Sequence, residues 1–334
     1  MKKLLLCLVL SASAALAAEG YKVIQKIHIG GSGTFDRVAL DDAARRLYIA
    51  NDNRVVVVDI DSGKVAGEIS GIDGVHGIAI APDLGRGFVA GASANEVTTF
   101  DLKTLKPLGK ASTGGEPGPV LFEPKTGRVF AFNLANEDGT ATVIDAKTGE
   151  AAGKVTLGGK ATAAVTDGSG KIWIALQITS EDWNVSSEVG IIDAEKLTLL
   201  SHSPIAPCDR PTAITLDAKN NRLFAVCTNS KMAVADESGK LLSTVVIGKS
   251  AGGVGIDPAS GLVFTSDASD GTVTVVKDTG GAFDASEKVP TARNARVLAV
   301  DPKTHNVYLP AVEYPAGGGT TAVPDSFEVL VVGK

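Results

Sequence analysis

The chain has 334 residues, a formal net charge of −6, 44% hydrophobic residues and only 5% aromatic residues. This composition is too apolar and too weakly charged for a disordered protein, and the length suffices for a large core. The 38 glycines, with frequent Val, Ile, Thr and Ala, favour many short strands joined by tight turns over an all-helical chain. We therefore expect an all-β architecture.

The first segment has the pattern of an export signal. Two lysines and an apolar run occupy positions 2–10, and the Ala-Leu-Ala of residues 15–17 matches a signal-peptidase site. We expect residues 1–17 to be a signal peptide, residues 18–334 to form one domain, and the protein to be periplasmic or secreted. The apolar run is too short to span a bilayer and Cys7 lacks a lipoprotein context, so no membrane anchor is expected.

A unit of 40–51 residues recurs seven times after this segment. Each unit has four apolar runs separated by polar turns, and the second run carries one aromatic residue, which we call the anchor aromatic. These anchors use seven of the 10 Phe, 4 Tyr and 2 Trp residues. They are Tyr48, Phe88, Phe130, Trp173, Phe224, Phe264 and Tyr308. Four antiparallel strands per unit are typical of one propeller blade.

The two ends of the chain predict how the ring closes. The seventh unit supplies only three strands, the last at residues 327–332, whereas an unassigned strand at residues 21–29 precedes the first unit. Pairing these strands completes the seventh blade and removes both open edges. The sequence therefore predicts a seven-bladed β-propeller of four-stranded antiparallel blades, with the N-terminal strand completing the C-terminal blade.

These repeats resemble a known family. The recurring Asp-Pro, the anchor aromatic and the following Val-x-Val-x-Asp, with Tyr-Ile-Ala-Asn at 48–51 and Val-Cys-Thr-Asn at 226–229, resemble the YVTN-type β-propeller repeats of exported bacterial proteins, including the YncE-like periplasmic group. The resemblance covers residues 21–334. It implies the propeller fold, and it raises single-stranded DNA binding, with which the YncE-like group is associated, as one function.

Charged residues are expected at the mouth of the central channel, where the loops that enter the innermost strands converge. The position eleven or twelve residues before each anchor aromatic holds Asp36, His76, Gly118, Thr162, Thr212, Gly252 and Arg296. Four further charged residues lie within a few positions of this ring, namely Arg37, Glu116, Arg210 and Arg293. We expect the charged members either to bind a ligand or to be solvated residues that brace loops.

Two long connections belong to the same face. Residues 177–184 carry Trp183 and residues 313–325 carry Tyr314. Long loops on a scaffold of short loops are often functional. Both aromatic side chains are candidates for contact with a ligand or partner, and equally for packing onto neighbouring blades.

Cysteine and histidine usage favours structure over metal chemistry. Cys208 and Cys227 remain after signal removal, and a disulfide is favoured over two free thiols or a metal pair. Of the histidines, only His76 is expected near the axis, so a His-rich metal site and a bound cofactor are not expected. Carboxylates that end the third strands are expected to cap turns; they are Asp59, Asp101, Asp145, Asp193 and Asp236.

Three functions remain open at this stage. The first is a monomeric binding or scaffold module whose channel mouth takes a peptide, glycan, small molecule or single-stranded DNA. The acidic net charge leaves only a local basic patch for DNA, made by Arg37, Arg210, Arg293 and Arg296. The second is a metal-dependent lactonase, hydrolase or lyase, with oxygen ligands from Asp36, Glu116, Asn229 and Asp267. The third, a redox accessory protein, ranks last because Cys-x-x-Cys-His is absent.

Overall fold

The computed structural model describes residues 20–31, 33–135, 138–315 and 321–334. In these ranges 28 strands and one 3₁₀ turn, Pro82–Leu84, are present. The strands form seven four-stranded antiparallel sheets, which are the blades of a β-propeller. The predicted fold is confirmed, whereas the signal peptide expected at residues 1–17 lies outside the described residues.

Six blades are continuous in sequence, and each begins with its innermost strand. Blades 1 and 2 comprise β2 (Phe35–Asp41), β3 (Arg46–Asn51), β4 (Arg54–Asp59), β5 (Lys64–Ser70), β6 (Val75–Ala81), β7 (Arg86–Gly91), β8 (Glu96–Asp101) and β9 (Pro107–Ser112). Blades 3 and 4 comprise β10 (Pro117–Glu123), β11 (Arg128–Asn133), β12 (Thr140–Asp145), β13 (Ala151–Thr156), β14 (Lys160–Thr166), β15 (Lys171–Thr179), β16 (Val185–Asp193) and β17 (Thr198–Pro204). Blades 5 and 6 comprise β18 (Pro211–Asp217), β19 (Arg222–Cys227), β20 (Lys231–Asp236), β21 (Leu241–Val246), β22 (Ala251–Ile256), β23 (Val263–Asp267), β24 (Thr272–Asp278) and β25 (Phe283–Pro290).

Blade 7 joins the two ends of the chain. It consists of β26 (Ala299–Val300), β27 (Val307–Ala311), β28 (Glu328–Gly333) and, as its outermost strand, β1 (Lys22–His28). Strand β1 runs antiparallel to β28, with Lys22 opposite Gly333 and His28 opposite Glu328. The predicted strand exchange is therefore confirmed.

The apolar core is divided into seven clusters, one at each interface between neighbouring blades within the described ranges. Every anchor aromatic faces the next blade and is at most 3% exposed. Tyr48 of blade 1, for example, packs against Phe100 of blade 2 with ring centroids 5.9 Å apart. Tyr308 of blade 7 belongs to the cluster shared with blade 1. Packing between blades is thus the physical reason for the repeat in the sequence.

The carboxylates that end the third strands cap turns, as predicted. The side chain of Asp59 accepts the Ser62 backbone N–H at 2.7 Å, and that of Asp145 accepts the Thr148 N–H at 2.8 Å. These hydrogen bonds hold the pKa of both carboxyls below the usual range. Equivalent turn contacts lower the pKa of Asp101, Asp193 and Asp236.

A buried ion pair connects blade 1 to blade 7. The two Nη atoms of Arg45 donate to the two carboxylate oxygens of Asp301 at 2.9 and 2.7 Å, and its Nε donates to Asp61 at 2.9 Å. The Asp301 side chain is fully buried, whereas that of Asp61 is 58% exposed. Burial raises the pKa of Asp301, but the hydrogen bonds from Arg45, Thr304 and the Lys303 backbone together outweigh it and lower the pKa to about 2.

The substitution Asp301→Asn should lower the free energy of unfolding by about 3–5 kcal/mol, because it leaves the Arg45 charge buried without its main partner. The matched substitution Asp61→Asn should cost about 0–1 kcal/mol, because its carboxylate is exposed. Denaturant titration measures both. Since the pKa of Asp301 is depressed by folding, its contribution is present above the ordinary aspartate pKa and disappears as the pH falls through about 2. Equal losses in the two variants would contradict this account.

Cys208 and Cys227 form a disulfide in blade 5. Their Cα atoms are 5.6 Å apart across a sequence separation of 19 residues, and both residues are at most 2% exposed. The bond ties the segment that enters β18 to the end of β19. It therefore fixes one of the loops that surround the channel mouth.

Replacing both cysteines by serine should lower the free energy of unfolding by about 3 kcal/mol, the value that the chain-entropy model assigns to a loop of this size. Denaturant titration with and without reductant provides the measurement. Reductant should destabilise the native protein and leave the double variant unchanged. If reductant lowered the stability of both proteins equally, the disulfide would not be the source of the stability difference.

Candidate functional site

A β-bulge near the start of each of the first six innermost strands sets the residues at the channel mouth. In β2 the pairing with β3 shifts between Phe35 and Val38, and in β18 it shifts between Pro211 and Ala213. The same irregularity occurs in β6, β10, β14 and β22. The bulged segments contain the predicted ring positions. A bulge re-aims a side chain away from the regular ladder, which here provides access to the channel.

The ring of predicted mouth positions, six at bulges and Arg296 just before β26, is asymmetric in charge. Asp36, His76 and Arg296 come from blades 1, 2 and 7, which are adjacent in the closed ring. The other four positions, in blades 3 to 6, hold the small residues Gly118, Thr162, Thr212 and Gly252. One side of the mouth is therefore charged, and the opposite side carries short side chains.

Asp36 and His76 form a close pair between blades 1 and 2. Asp36 Oδ2 lies 2.8 Å from His76 Nδ1, and the two side chains are 34% and 26% exposed. Both atoms are buried, and neither has a hydrogen-bond partner elsewhere in the part of the chain that the structure describes. Burial raises the pKa of Asp36, but His76 and the charges of Arg37 and Arg296 outweigh it and lower the pKa.

Arg37 crosses the channel. Its Nη2 donates to the carbonyl oxygen of Thr162 in blade 4 at 3.1 Å, on the far side of the ring from blade 1. The guanidinium borders two cavities, one of about 380 Å³ at the mouth and one of about 280 Å³ deeper in the channel. The deeper cavity is lined mainly by residues of the innermost strands, whereas polar and apolar residues both line the mouth cavity. Arg37 thus lies at the boundary between the open mouth and the channel.

Eight of the thirteen residues that line the mouth cavity are polar or charged. Asp36, Arg37 and Arg296 border it together with Thr162, Gln177, Thr212, Thr228 and Ser250. The Thr162 and Thr212 hydroxyls already donate to the carbonyls of Pro211 and Ala251 in the next blades, at 2.7 and 2.8 Å. A Cβ at Gly252 would lie 2.5 Å from the Arg296 carbonyl oxygen, so a larger residue would force blades 6 and 7 apart.

The structure brings together four of the predicted site residues. Asp36, Arg37 and Arg296 line the mouth cavity, and His76 contacts Asp36. Glu116, Arg210 and Arg293 lie in exposed loops beside the innermost strands and do not border this cavity. Their part in ligand binding stays a prediction.

The two predicted aromatics have different surroundings. Trp183 is 81% exposed at the turn of the β15–β16 hairpin, whose strands of nine residues each are the longest described. Tyr314 is half-buried and packs against the apolar cluster between blades 7 and 1. Of the pair, only Trp183 presents its ring to solvent. Part of the loop that carries Tyr314, residues 316–320, lies outside the described residues.

The oxygen ligands suggested for a metal-dependent enzyme do not converge. Asn229 accepts the Asp209 N–H and donates to the Pro207 carbonyl at 2.7 Å. Asp267 is fully buried and accepts hydroxyl hydrogen bonds from Thr265, Thr272 and Thr274. Burial accordingly raises the pKa of Asp267. The residues that the structure describes contain no group of three or more His, Cys, Asp or Glu side chains positioned to hold a metal ion.

Sequence reasoning missed three polar residues that border the cavity from outside the predicted ring, namely Gln177 in β15, Thr228 directly after β19 and Ser250 directly before β22. Gln177 donates to the Pro211 carbonyl at 3.2 Å. Each lies at the end of a strand or in a short loop beside the ring. Aligning the ends of the second strands and the connections that precede the innermost strands would have identified these positions.

Comparison with solved structures supports the fold. The structure titled "Kuenenia stuttgartiensis Hydrazine Synthase" matches with a TM-score of 0.74 and 13% identity, over 83% of this chain and 92% of that chain. The structure titled "Structure of U3-55K" matches with a TM-score of 0.72 and 12% identity, over 92% and 97%. At these identities the similarity establishes the seven-bladed propeller alone.

No protein-family model and no curated protein matches the sequence. Within the described part of the chain, none of the helical segments has the length and apolar character required to cross a membrane. The chemistry of the site must therefore be inferred from its own residues.

The substitution His76→Ala should raise the pKa of Asp36, because it removes the contact that opposes the effect of burial. A pH titration of the Asp36 carboxyl carbon by NMR measures the change. His305→Ala is the matched control, since His305 pairs with Asp257 in a turn on the opposite face and should leave Asp36 unaffected. An unchanged Asp36 titration in His76→Ala would contradict the pairing.

Proposed function

We propose that this protein is an exported binding module of the YVTN type that holds a small organic anion at its channel mouth. The observation that carries the proposal is the mouth cavity of about 380 Å³ bordered by Arg37 and Arg296. The ligand class is a small molecule with two carboxylate groups, one for each arginine.

The charge balance of the cavity supports an anionic ligand. Two guanidinium groups border it against the single carboxylate of Asp36, and that carboxylate is engaged by His76. Arg37 donates through one Nη atom to Thr162, which leaves further N–H groups for a ligand. Guanidinium groups bind carboxylates through two parallel hydrogen bonds. Arginine side chains on two different blades therefore suit the two ends of a short dicarboxylate.

The shape of the cavity supports a small ligand. Its volume lies within the range of about 300–1,000 Å³ that is usual for small-molecule sites. The short side chains of Thr162, Thr212 and Gly252 leave space opposite the charged side. Gln177, Thr228 and Ser250 add polar groups at the rim that suit hydroxyl or carbonyl substituents.

Export and family membership are proposed from the sequence. Residues 1–17 have the pattern of a signal peptide, and residues 18–334 are then the mature domain. The Cys208–Cys227 disulfide suits an oxidising compartment such as the periplasm. The YVTN assignment is supported by the repeat motifs and by the propeller fold.

Single-stranded DNA is the second candidate ligand because one observation favours it. Trp183 is 81% exposed, and Arg210 and Arg293 are exposed on loops beside the same mouth. Stacking on an aromatic ring combined with nearby cations is the usual mode of single-strand binding. The net charge of −6 opposes a broad nucleic-acid surface, so we rank this function below the first.

Calorimetric titration with succinate, its neutral diamide and oligothymidylate separates the two functions. Succinate should bind and the diamide should not. Arg37→Gln and Arg296→Gln should each weaken succinate binding about tenfold or more, because each removes a charge-assisted contact. Arg210→Gln and Arg293→Gln serve as matched controls and should change it little.

Two outcomes would overturn the dicarboxylate proposal. The first is binding of oligothymidylate without binding of succinate, with a loss in Arg210→Gln and Arg293→Gln, which would establish the DNA function instead. The second is the absence of heat with all three probes in low salt, which would remove the channel mouth as a site for either ligand.

A further inference from the structure

Basic side chains bridge neighbouring blades on the face opposite the channel mouth. In the turn after β10, Lys125 Nζ donates to the Ser169 carbonyl of blade 4 at 2.9 Å. Arg128 Nη1 donates to the carbonyls of Ala194 and Glu195 in the same blade at 2.7 and 2.9 Å. Arg46 of blade 1 similarly donates to the Leu102 carbonyl of blade 2. At these interfaces the cations close the groove between two blades.

Blade 5 carries the same basic residues without the bridges. Lys219 and Arg222 occupy the turn positions of Lys125 and Arg128. Arg222 Nη1 donates instead to the carbonyls of Asn220 and Asn221 in its own turn, at 3.2 Å each. Among the residues that the structure describes, the ammonium group of Lys219 has no hydrogen-bond or ion-pair partner. Both cations are therefore free of the structural role that their counterparts have in blade 3.

Blade 6 departs from the repeat at Lys277, which lines the same cavity as Lys219 and Arg222 of blade 5. Lys277 stands in β24 where five other blades have the aspartate that caps the following turn. Here Asp278 caps the turn one residue later, accepting the N–H groups of Gly280 and Gly281 at 2.8 Å each. The Lys277 ammonium makes no ion pair within the described ranges. A position that is acidic in five blades is thus cationic in blade 6.

These three cations border a cavity of about 550 Å³ between blades 5 and 6. Two carboxylates also border it; each accepts hydrogen bonds from its own turn and keeps its negative charge, and that of Asp278 interacts with the Arg222 charge. Asp217 accepts the N–H groups of Lys219 and Asn220 at 3.1 Å each, and Asp278 accepts the two glycine N–H groups. Phe283 forms part of the wall and packs edge-on against Phe224. In the lining of this cavity three cations thus outnumber two carboxylates beside one aromatic ring.

We propose that the groove between blades 5 and 6 binds a phosphate monoester, with Lys219, Arg222 and Lys277 around the phosphate and Phe283 beside the organic group. The three cations outnumber the carboxylates of Asp217 and Asp278, and this excess of positive charge favours an anionic group. The Arg222 guanidinium provides paired N–H donors suited to two phosphate oxygens. This groove lies on the face opposite the channel mouth, so the proposal is independent of the function proposed above.

Phenyl phosphate at low ionic strength is the probe, measured by calorimetry and by ³¹P NMR. The native protein should bind it, with an affinity that falls as salt is added. Arg222→Gln should weaken binding about tenfold or more. Lys277→Asp, which restores the residue of the other blades, should abolish binding while the protein remains folded.

Arg128→Gln is the matched control because Arg128 occupies the same turn position and bridges blades 3 and 4. Arg128→Gln should lower the unfolding midpoint and leave phenyl phosphate binding unchanged. Arg222→Gln should weaken phenyl phosphate binding and leave the unfolding midpoint unchanged. Arg296→Gln, at the channel mouth, should leave this binding unchanged.

Three results would each overturn the proposal. One is the absence of phenyl phosphate binding to the native protein in low salt. Another is binding that survives both Arg222→Gln and Lys277→Asp. The third is equal affinity for inorganic phosphate and phenyl phosphate, since the aromatic wall would then contribute nothing to recognition.

Discussion

The burial of each blade against the next is the constraint on which the rest of this structure depends. A four-stranded sheet with two apolar faces is not stable in water by itself, and it needs a neighbour on each side. Here every interface has its own apolar cluster, and each anchor aromatic is buried against the following blade. The outer apolar faces of the first and last blades are buried only when the chain closes into a ring. The pairing of β1 with β28 and the buried Arg45–Asp301 contact both lie at that closure.

Function is best sought where the repeat is broken, because positions that obey the repeat are used for packing and turn capping. The channel mouth has small residues in four blades and Asp36, His76 and Arg296 in three adjacent ones. The groove between blades 5 and 6 likewise has Lys277 where other blades have a capping aspartate. In both places an open cavity adjoins the unusual charges. The scaffold itself requires neither set of charges.

Much of the site could be predicted because ring position follows from the spacing to the anchor aromatic. That spacing identified Asp36, His76 and Arg296, with Arg37 next to them. It could not show that Arg37 reaches across the channel to Thr162, since the two residues are 125 positions apart in sequence. It also named Glu116, Arg210 and Arg293, which lie in exposed loops beside the innermost strands, but it could not show that they do not border this cavity. The direction of a loop side chain depends on local turns that spacing does not describe.

The sequence by itself determined the strand count, the sevenfold repeat and the exchange of strands at the termini, because apolar periodicity and anchor spacing directly reflect packing between blades. Only the tertiary structure decided which polar groups meet. It assigned Asp267 to a buried network of threonine hydroxyls, packed the half-buried Tyr314 against the core and left Arg222 without the bridge that Arg128 makes. These outcomes depend on contacts between residues distant in sequence, and side-chain reach and direction at such contacts are set by the closed ring.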